Sequence, residues 1–366
     1  MLIKKNILIV TSEFPPQPGG IGNHAYNLAL YLAENDYAVT VIADQRDVDA
    51  TEERRFDGSL PFRVKRISMR SLRFLMYIQR IITTFKEFRN TDVVIATGKF
   101  SLWNVAFGSL CFKRKTMAVI HGTEVNFKSA WLKRSIDLSL QRFDQIVAVS
   151  HYTKSLVSHL NKDVQVIPNG ISISDWKLPQ SRTKLKGSPV LTTVGRVSSR
   201  KGQLNVIQQL PELLKHFPEL HYHCVGIPTE ADDFMVIAQS LGVEDYITFH
   251  GSVSEERLKQ VLQATDIFVM LSSESRSGDV EGFGIAILEA NAMGVPAIGS
   301  KGCGIEDAVL DGASGFLISN ESDIEFKNAI NRIMASPINF KQEALKWANQ
   351  HSWSTIIKRY EELIEN

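Results

Sequence analysis

Ile7-Leu8-Ile9-Val10-Thr11-Ser12-Glu13-Phe14-Pro15-Pro16-Gln17-Pro18-Gly19-Gly20-Ile21 sets a short, wholly apolar run before a proline- and glycine-rich loop. Helical spacing through Ala25, Leu28, Ala29 and Leu32 follows it. Four apolar residues without polar alternation fit a strand buried on both faces, as parallel sheets require. The stretch therefore reads as strand, loop and helix, the opening of an α/β domain.

The same unit recurs along the chain. Val39–Ile42, Val93–Ala96, Ala118–Ile120 and Ile146–Val149 are further buried-strand candidates, separated by segments long enough for helices. A break at Pro168-Asn169-Gly170 and a polar stretch from Lys177 to Ser188 then interrupt the alternation. It restarts with expected strands at Val190–Val194, His221–Val225, Ile247–Phe249, Ile267–Leu271, Val295–Ile298 and Gly315–Ile318, and helices starting near Gln203, Ala231, Glu255 and Gly284. No short repeat accompanies the restart. The reading is two α/β domains, 1–178 and 179–350, with 351–366 as a terminal helix.

Composition narrows the function classes. The 366 residues are 44% hydrophobic and 22% charged, an ordinary globular balance, and the net charge of +1 lacks the broad cationic footprint of a nucleic-acid binder. Cys111, Cys224 and Cys303 are odd in number and lack zinc spacing, which fits a reducing compartment. The apolar run after the first lysines is too short for a signal-peptide core, and no stretch has the length of a membrane span. A cytoplasmic protein is expected.

Charge is uneven within this near-neutral total. Residues 1–178 carry 24 Lys/Arg against 16 Asp/Glu, a net of +8, while 179–366 carry 17 against 24, a net of −7. Within Arg63–Arg89 eight basic residues meet one acid, interleaved with Phe74, Leu75, Met76, Ile78, Ile81, Ile82 and Phe85. Such a segment reads either as a basic amphipathic helix for an anionic membrane surface or as a solvated face over an internal apolar stripe.

Three motifs carry chemistry. Gly19 and Gly20 end the first loop at a helix start, where backbone N–H groups suit a phosphate. Gly20-Ile21-Gly22-Asn23-His24-Ala25 also satisfies the G-x-G-x-x-A dinucleotide form, with Asp44 placed as a ribose-binding acid. Against an NAD-dependent enzyme, the glycines stand too far from the strand, behind three prolines. The second motif, Gly195-Arg196-Val197-Ser198-Ser199-Arg200-Lys201-Gly202, follows the strand that opens the second half and offers Arg196 and Lys201 to a diphosphate. The third, Gly278-Asp279-Val280-Glu281-Gly282-Phe283-Gly284 through Glu289, places two carboxylates eight residues apart across a glycine-rich helix entry. On one continuous helix they would lie about 12 Å apart along the axis and about 80° around it. That is too far for the paired acids of glycoside hydrolysis and suits hydroxyl recognition at two ends of one ligand.

Taken together with His121-Gly122-Thr123-Glu124, Val149-Ser150 and Ile167-Pro168-Asn169-Gly170, these motifs resemble glycosyltransferase family 4, retaining enzymes of the GT-B fold. The resemblance spans nearly the whole chain, and it implies two Rossmann-like domains facing a central cleft, with a C-terminal helix crossing back to the first domain. It also implies site roles. Gly19 and Gly20 would present amides to the diphosphate or transferred sugar, Arg196 and Lys201 would hold the diphosphate, Glu281 the sugar hydroxyls and Glu289 the ribose hydroxyls. Gly282, Phe283 and Gly284 would add amides, the nucleotide base would meet backbone near Gly251–Ser254, including Val253, and His121 would sit beside the sugar. The family's front-face route hands the acceptor's proton to the leaving phosphate oxygen, so no separate base is required.

The Asp279-Val280-Glu281-Gly282-Phe283-Gly284 form resembles the phosphatidylinositol mannosyltransferase-like branch. GDP-mannose is therefore the favoured donor, with UDP-hexose and UDP-N-acetylhexosamine as alternatives and a glycan or lipid-linked acceptor. No resident cofactor and no metal are expected, since Asp47-Val48-Asp49 lacks the context of a D-x-D metal site. His151, His216, His221, His223 and His250 read as structural or surface, and Trp353 as packing.

Overall fold

The computed structural model describes residues 4–366 except 71, 180, 182, 276 and 277, and of Arg73 only the backbone. Gln180 and Arg182 of the polar linker, and Ser71 with the Arg73 side chain of the basic segment, thus lie outside the described residues. The chain divides into two compact units, Met1–Gly170 with Trp353–Asn366, and Ile171–Ser352. The crossing falls at Gly170, ahead of the polar stretch. There Gly170 lies so close to the Trp353 ring that a Cβ would come within 2.7 Å of it, and the Ile171 N–H donates to His351 O at 2.8 Å. Departure and return of the chain run side by side.

The first unit contains β1 (Asn6–Thr11), α1 (Gly20–Glu34), β2 (Ala38–Asp44), α2 (Thr51–Asp57), β3 (Arg63–Ile67), α3 (Arg73–Phe88), β4 (Val93–Thr97), α4 (Lys99–Gly108), β5 (Lys115–Ile120), α5 (Ala130–Leu140), β6 (Gln145–Ala148), α6 (His151–Ser155) and β7 (Val164–Val166). Its seven strands are all parallel, in the order β3-β2-β1-β4-β5-β6-β7. β1 is central, and Ile7–Val10 are buried as their unbroken apolar run demands. Strand order changes direction between β1 and β4, which pair Thr11 with Thr97 at their carboxyl ends. Right-handed crossovers put α1 and α2 on one face of this sheet and α3, α4 and α5 on the other.

The second unit contains β8 (Val190–Val194), α7 (Gln203–His216), β9 (His221–Val225), α8 (Ala231–Leu241), β10 (Ile247–Gly251), α9 (Glu255–Gln263), β11 (Ile267–Met270), α10 (Ile285–Ala292), β12 (Ala297–Ser300), β13 (Gly315–Ile318), α11 (Asp323–Ala335) and α12 (Pro337–Gln350). Its six strands run in the order β10-β9-β8-β11-β12-β13, with the change of direction between β8 and β11. The last helix, α13 (Trp353–Glu365), belongs to the first unit and packs on α1. In open sheets of this kind ligands bind outside the carboxyl ends of the strands where the order reverses. Each unit therefore offers one such crevice.

The basic segment is not a single helix. Arg63–Ile67 forms the edge strand β3, whose three cations hide it from a search for apolar runs, and only Arg73–Phe88 is helical. Several of its cations are spent internally: Arg66 holds both oxygens of Asp57, at 2.9 and 2.7 Å, and reaches Glu53 at 3.3 Å. Lys65 pairs with Glu87 at 2.5 Å, and Arg80 takes both oxygens of Asp44. The apolar residues Phe74, Leu75, Tyr77, Ile78 and Ile82 nonetheless remain exposed on α3. No described helix is long and apolar enough to cross a membrane.

Candidate active site

Glycines begin the helices that follow the strands at the two reversals. The helices α6, α9 and α11 begin on Ser150, Ser254 and Ser322, each of which accepts a backbone N–H of the first turn. By contrast α1, α4, α7 and α10 begin on Gly19, Gly98, Gly202 and Gly284, with no side chain bonded to their first turns. All four stand directly after β1, β4, β8 or β11, the strands that flank the reversals. Their N-terminal dipoles are left for a ligand to meet.

In the second unit the crevice holds a cluster of charge. Lys201 Nζ lies 2.7 Å and Arg200 Nη1 2.8 Å from the same oxygen, Oε2 of Glu281. Burial raises the Glu281 pKa, but Lys201 and then Arg200 outweigh it, so the carboxyl is held below its ordinary value. Glu289 feels the same lysine more weakly. Burial pushes its pKa up to about 7, against the opposing field of Lys201. One ammonium thus lies in the field of both carboxylates of the third motif.

Close backbone contacts build this cluster. Gly202, at φ +81°, lets the turn after β8 press on the end of β11, where a Cβ would stand 2.0 Å from Leu271 O. Ser273 N–H closes the same contact by donating to Arg200 O at 3.1 Å. On the far side Gly304 N–H donates to Glu281 O at 2.9 Å. Glu281 therefore sits in a loop, not on a helix. Gly284 at φ +89° starts α10 after it, so the spacing calculated for one continuous helix does not hold.

The sequence-read residues distribute as follows. Lys201, Glu281, Gly282, Phe283, Gly284 and Glu289 lie between the end of β11 and the first turns of α10 or directly opposite. Phe283 turns its ring into the interior at 2% exposure and leaves only backbone toward the loop. Arg196 is exposed and its guanidinium makes no hydrogen bond to the described residues, while its carbonyl accepts from Gln203 at 3.2 Å. Arg200, beside it in the same motif, takes the contact with Glu281 instead. Val253 is half-buried between β10 and α9, two strands along the rim from β8.

In the first unit His121 follows β5 directly, and its Nε2 lies 2.9 Å from Thr97 Oγ1 at the end of β4. Burial lowers its pKa to about 4, so the ring is neutral at cellular pH. Glu124, three residues on, accepts the His121 backbone N–H through Oε1. Its Oε2 is buried without a partner, and burial raises the carboxyl to about 7. At α1 a Cβ on Gly19 would lie 2.5 Å from a Glu13 carboxylate oxygen. The Glu13 side chain thus stands over that helix start.

Two alternative readings lose their residues here. Asp44, the would-be ribose acid of a dinucleotide site, has both oxygens on Arg80. Gly22 is needed for another reason, since its Cβ would press on the Phe14 backbone at 3.1 Å. Asp49 accepts the Thr51 N–H at the start of α2, and among the described residues no three His, Cys, Asp or Glu side chains are grouped to hold a metal. Three histidines of the second unit form a row, with His223 Nδ1 3.0 Å from His250 Nε2 and His221 against His223.

Comparison with known proteins identifies the family. The family profile described as Glycosyltransferase Family 4 matches residues 18–175, and that described as Glycosyl transferases group 1 matches 174–351. The chain belongs to these glycosyltransferases. It is 25% identical to a GDP-mannose-dependent alpha-(1-6)-phosphatidylinositol monomannoside mannosyltransferase of Mycolicibacterium smegmatis, over 90% of both chains. It is 24% identical to a GDP-mannose-dependent monoacylated alpha-(1-6)-phosphatidylinositol monomannoside mannosyltransferase of Corynebacterium glutamicum, over 92% of this chain and 91% of that one. Among solved structures, Anabaena HepE in complex with UDP and glucose superposes with a TM-score of 0.77 at 20% identity, covering 99% of this chain and 100% of the other. The fold of this glycosyltransferase is thus GT-B, with two Rossmann-like units and α13 returned to the first.

Proposed function

We propose that this glycosyltransferase moves a hexose, with retention, from a nucleotide sugar to a hydroxyl of a lipid-linked or glycan acceptor. One observation carries the reading: Lys201 and Arg200 converge on Glu281 beside the uncapped start of α10, with Glu289 in the field of Lys201. The two cations suit a diphosphate leaving group, whose arrival would free Glu281 to accept sugar hydroxyls. The bond from the anomeric carbon to phosphate breaks, the acceptor oxygen attacks on the same face, and its proton passes to the departing phosphate oxygen. Neutral His121 contributes a hydrogen bond to the sugar and not a charge. The donor binds the second unit and the acceptor the first.

GDP-mannose is the favoured donor, supported by the two bacterial relatives named for it. UDP-hexose and UDP-N-acetylhexosamine are the alternatives, the first supported by the UDP and glucose of HepE. A thermal-shift screen with GDP, UDP, GDP-mannose, UDP-glucose, UDP-N-acetylglucosamine and NAD tests this, because a ligand of the native state raises the melting temperature by mass action. Stabilisation by GDP compounds alone is expected. Stabilisation by UDP compounds alone replaces the donor, and stabilisation by NAD alone overturns the reading.

The acceptor is assigned to an anionic membrane at its cytoplasmic face. Exposed Phe74, Leu75, Tyr77 and Ile78 on α3 continue through stacked Tyr77–Phe100 and Trp103–Phe127 to the start of α5. There Trp131, 86% exposed, and Leu132 stand beside exposed Lys128, Lys133 and Arg134. Aromatic side chains ringed by cations fit the headgroup level of an anionic bilayer. The protein should sediment with phosphatidylglycerol vesicles but not with pure phosphatidylcholine, and a Phe74→Ser, Trp131→Ser double variant should stay in solution. Equal sedimentation of that variant would remove the face from the proposal.

A further inference from the structure

His24, Tyr360 and Trp353 take no part in the chemistry above, yet His24 lies against the residue placed beside the sugar, and Tyr360 and Trp353 pack on His24. His24 lies in the apolar stripe of α1 at 2% exposure, and its Nε2 is 3.1 Å from the hydroxyl of Tyr360 on α13. Its ring meets that of His121 edge to face, with centroids 4.9 Å apart and planes at 77°. The Trp353 ring closes the cluster at 5.3 Å from His24.

This polar interior is expensive. His24 Nδ1 and Trp353 Nε1 are buried without hydrogen-bond partners, and an apolar pair would fill the same volume without that cost. Burial, and then the neighbouring His121, lowers the His24 pKa well below the ordinary range. Burial raises that of Tyr360 beyond any physiological pH, so its hydroxyl keeps its proton. The Tyr360 hydroxyl can donate to a bare Nε2 or accept from Nε2–H, and either bond fixes the plane of the His24 ring.

His121 is thereby held from two sides. Thr97 Oγ1 meets its Nε2, and the fixed ring of His24 lies against its ring, while Nδ1 makes no hydrogen bond with the described residues. We propose that Tyr360 and His24 are positioning residues for His121. The terminal helix, through the Tyr360 hydroxyl, sets the orientation of His24, and His24 sets the ring of His121 so that Nδ1 faces the ligand. The inference rests on the reading of His121 as the sugar-side residue.

Tyr360→Phe removes one hydroxyl and leaves the ring to pack, and His24→Gln is the companion variant should the first fail to fold. In protein labelled with ¹⁵N-histidine, Tyr360→Phe should move the imidazole nitrogens of His121 toward mixed tautomers and leave those of His221, in the other unit, unchanged. With GDP-mannose as probe, the kcat for GDP release should fall roughly ten- to a hundredfold at unchanged KM. In a His121→Ala background the same substitution should cost nothing further. An unmoved His121 spectrum in folded protein, or an equal loss in both backgrounds, overturns the coupling. Native turnover by His121→Ala overturns the sugar-side role of His121 itself, and the coupling with it.

Discussion

Lys201→Ala should lower kcat by roughly 10²- to 10³-fold, the usual cost of removing one fixed charge from a developing anion. The residue does more than meet a leaving group. It shares the Glu281 oxygen with Arg200 and opposes the burial that raises Glu289 to about 7. Without Lys201 the Glu289 carboxyl must rise further, because burial then acts on it unopposed. If ionised Glu289 accepts ribose hydroxyls, donor affinity falls as pH drops through about 7 in the native protein. In Lys201→Ala that decline should begin at a higher pH, and Glu289→Gln should abolish it. Titration calorimetry of the nucleoside diphosphate across pH, with steady-state rates alongside, reads both effects. Native turnover in Lys201→Ala would exclude the residue from the chemistry, and an unshifted pH profile would separate it from Glu289.

The legible part of this protein is what short-range pattern records. Central parallel strands are buried on both faces and are favoured as apolar runs, so β1, β4 and β11 are readable, while β8 and β9 bury Thr and His side chains that bond one another or a neighbouring strand. The edge strand β3, Arg63-Val64-Lys65-Arg66-Ile67, carries three cations in five residues and reads like the start of the following basic helix. Within the site, Lys201 stands out in one contiguous motif and Glu281 and Glu289 in another. Arg200 is in view but not distinguishable from Arg196, since which arginine turns toward Glu281 depends on how the turn after β8 meets β11. The placement of Glu281 on a helix fails for a local reason, the left-handed Gly284 that delays the helix start. His24 leaves a fainter trace, a polar ring in the stripe of Ala25, Leu28 and Leu32. Its meaning requires Tyr360, brought back by the final helix.

Gly304 leaves no trace at all, and its substitution is expected to be among the most damaging in the second unit. Gly302 and Gly304 flank Cys303 and look equivalent in sequence, but their surroundings differ. A Cβ on Gly304 would lie 2.0 Å from Gly282 O and 2.7 Å from Glu281 O, both backbone atoms, whereas one on Gly302 meets nothing within 4 Å. Gly304→Ala must therefore part the turn after β12 from the Glu281-Gly282-Phe283-Gly284 loop and break the 2.9 Å bond from Gly304 N–H to Glu281 O. Ile305 anchors the turn and Phe283 the far end of the loop, both buried, so parting the two moves the Glu281-Gly282 stretch of the loop. Its displacement takes the Glu281 carboxylate from Lys201 and Arg200. A misplacement of about 1 Å can cost roughly a hundredfold in rate, and at least that loss is expected. Gly302→Ala is the control. Its φ of +79° makes alanine strained by about 1 to 2 kcal/mol, so it should melt earlier yet keep native turnover and donor affinity. If the two variants lost activity equally, strain in the turn and not the position of the Glu281 loop would govern the site.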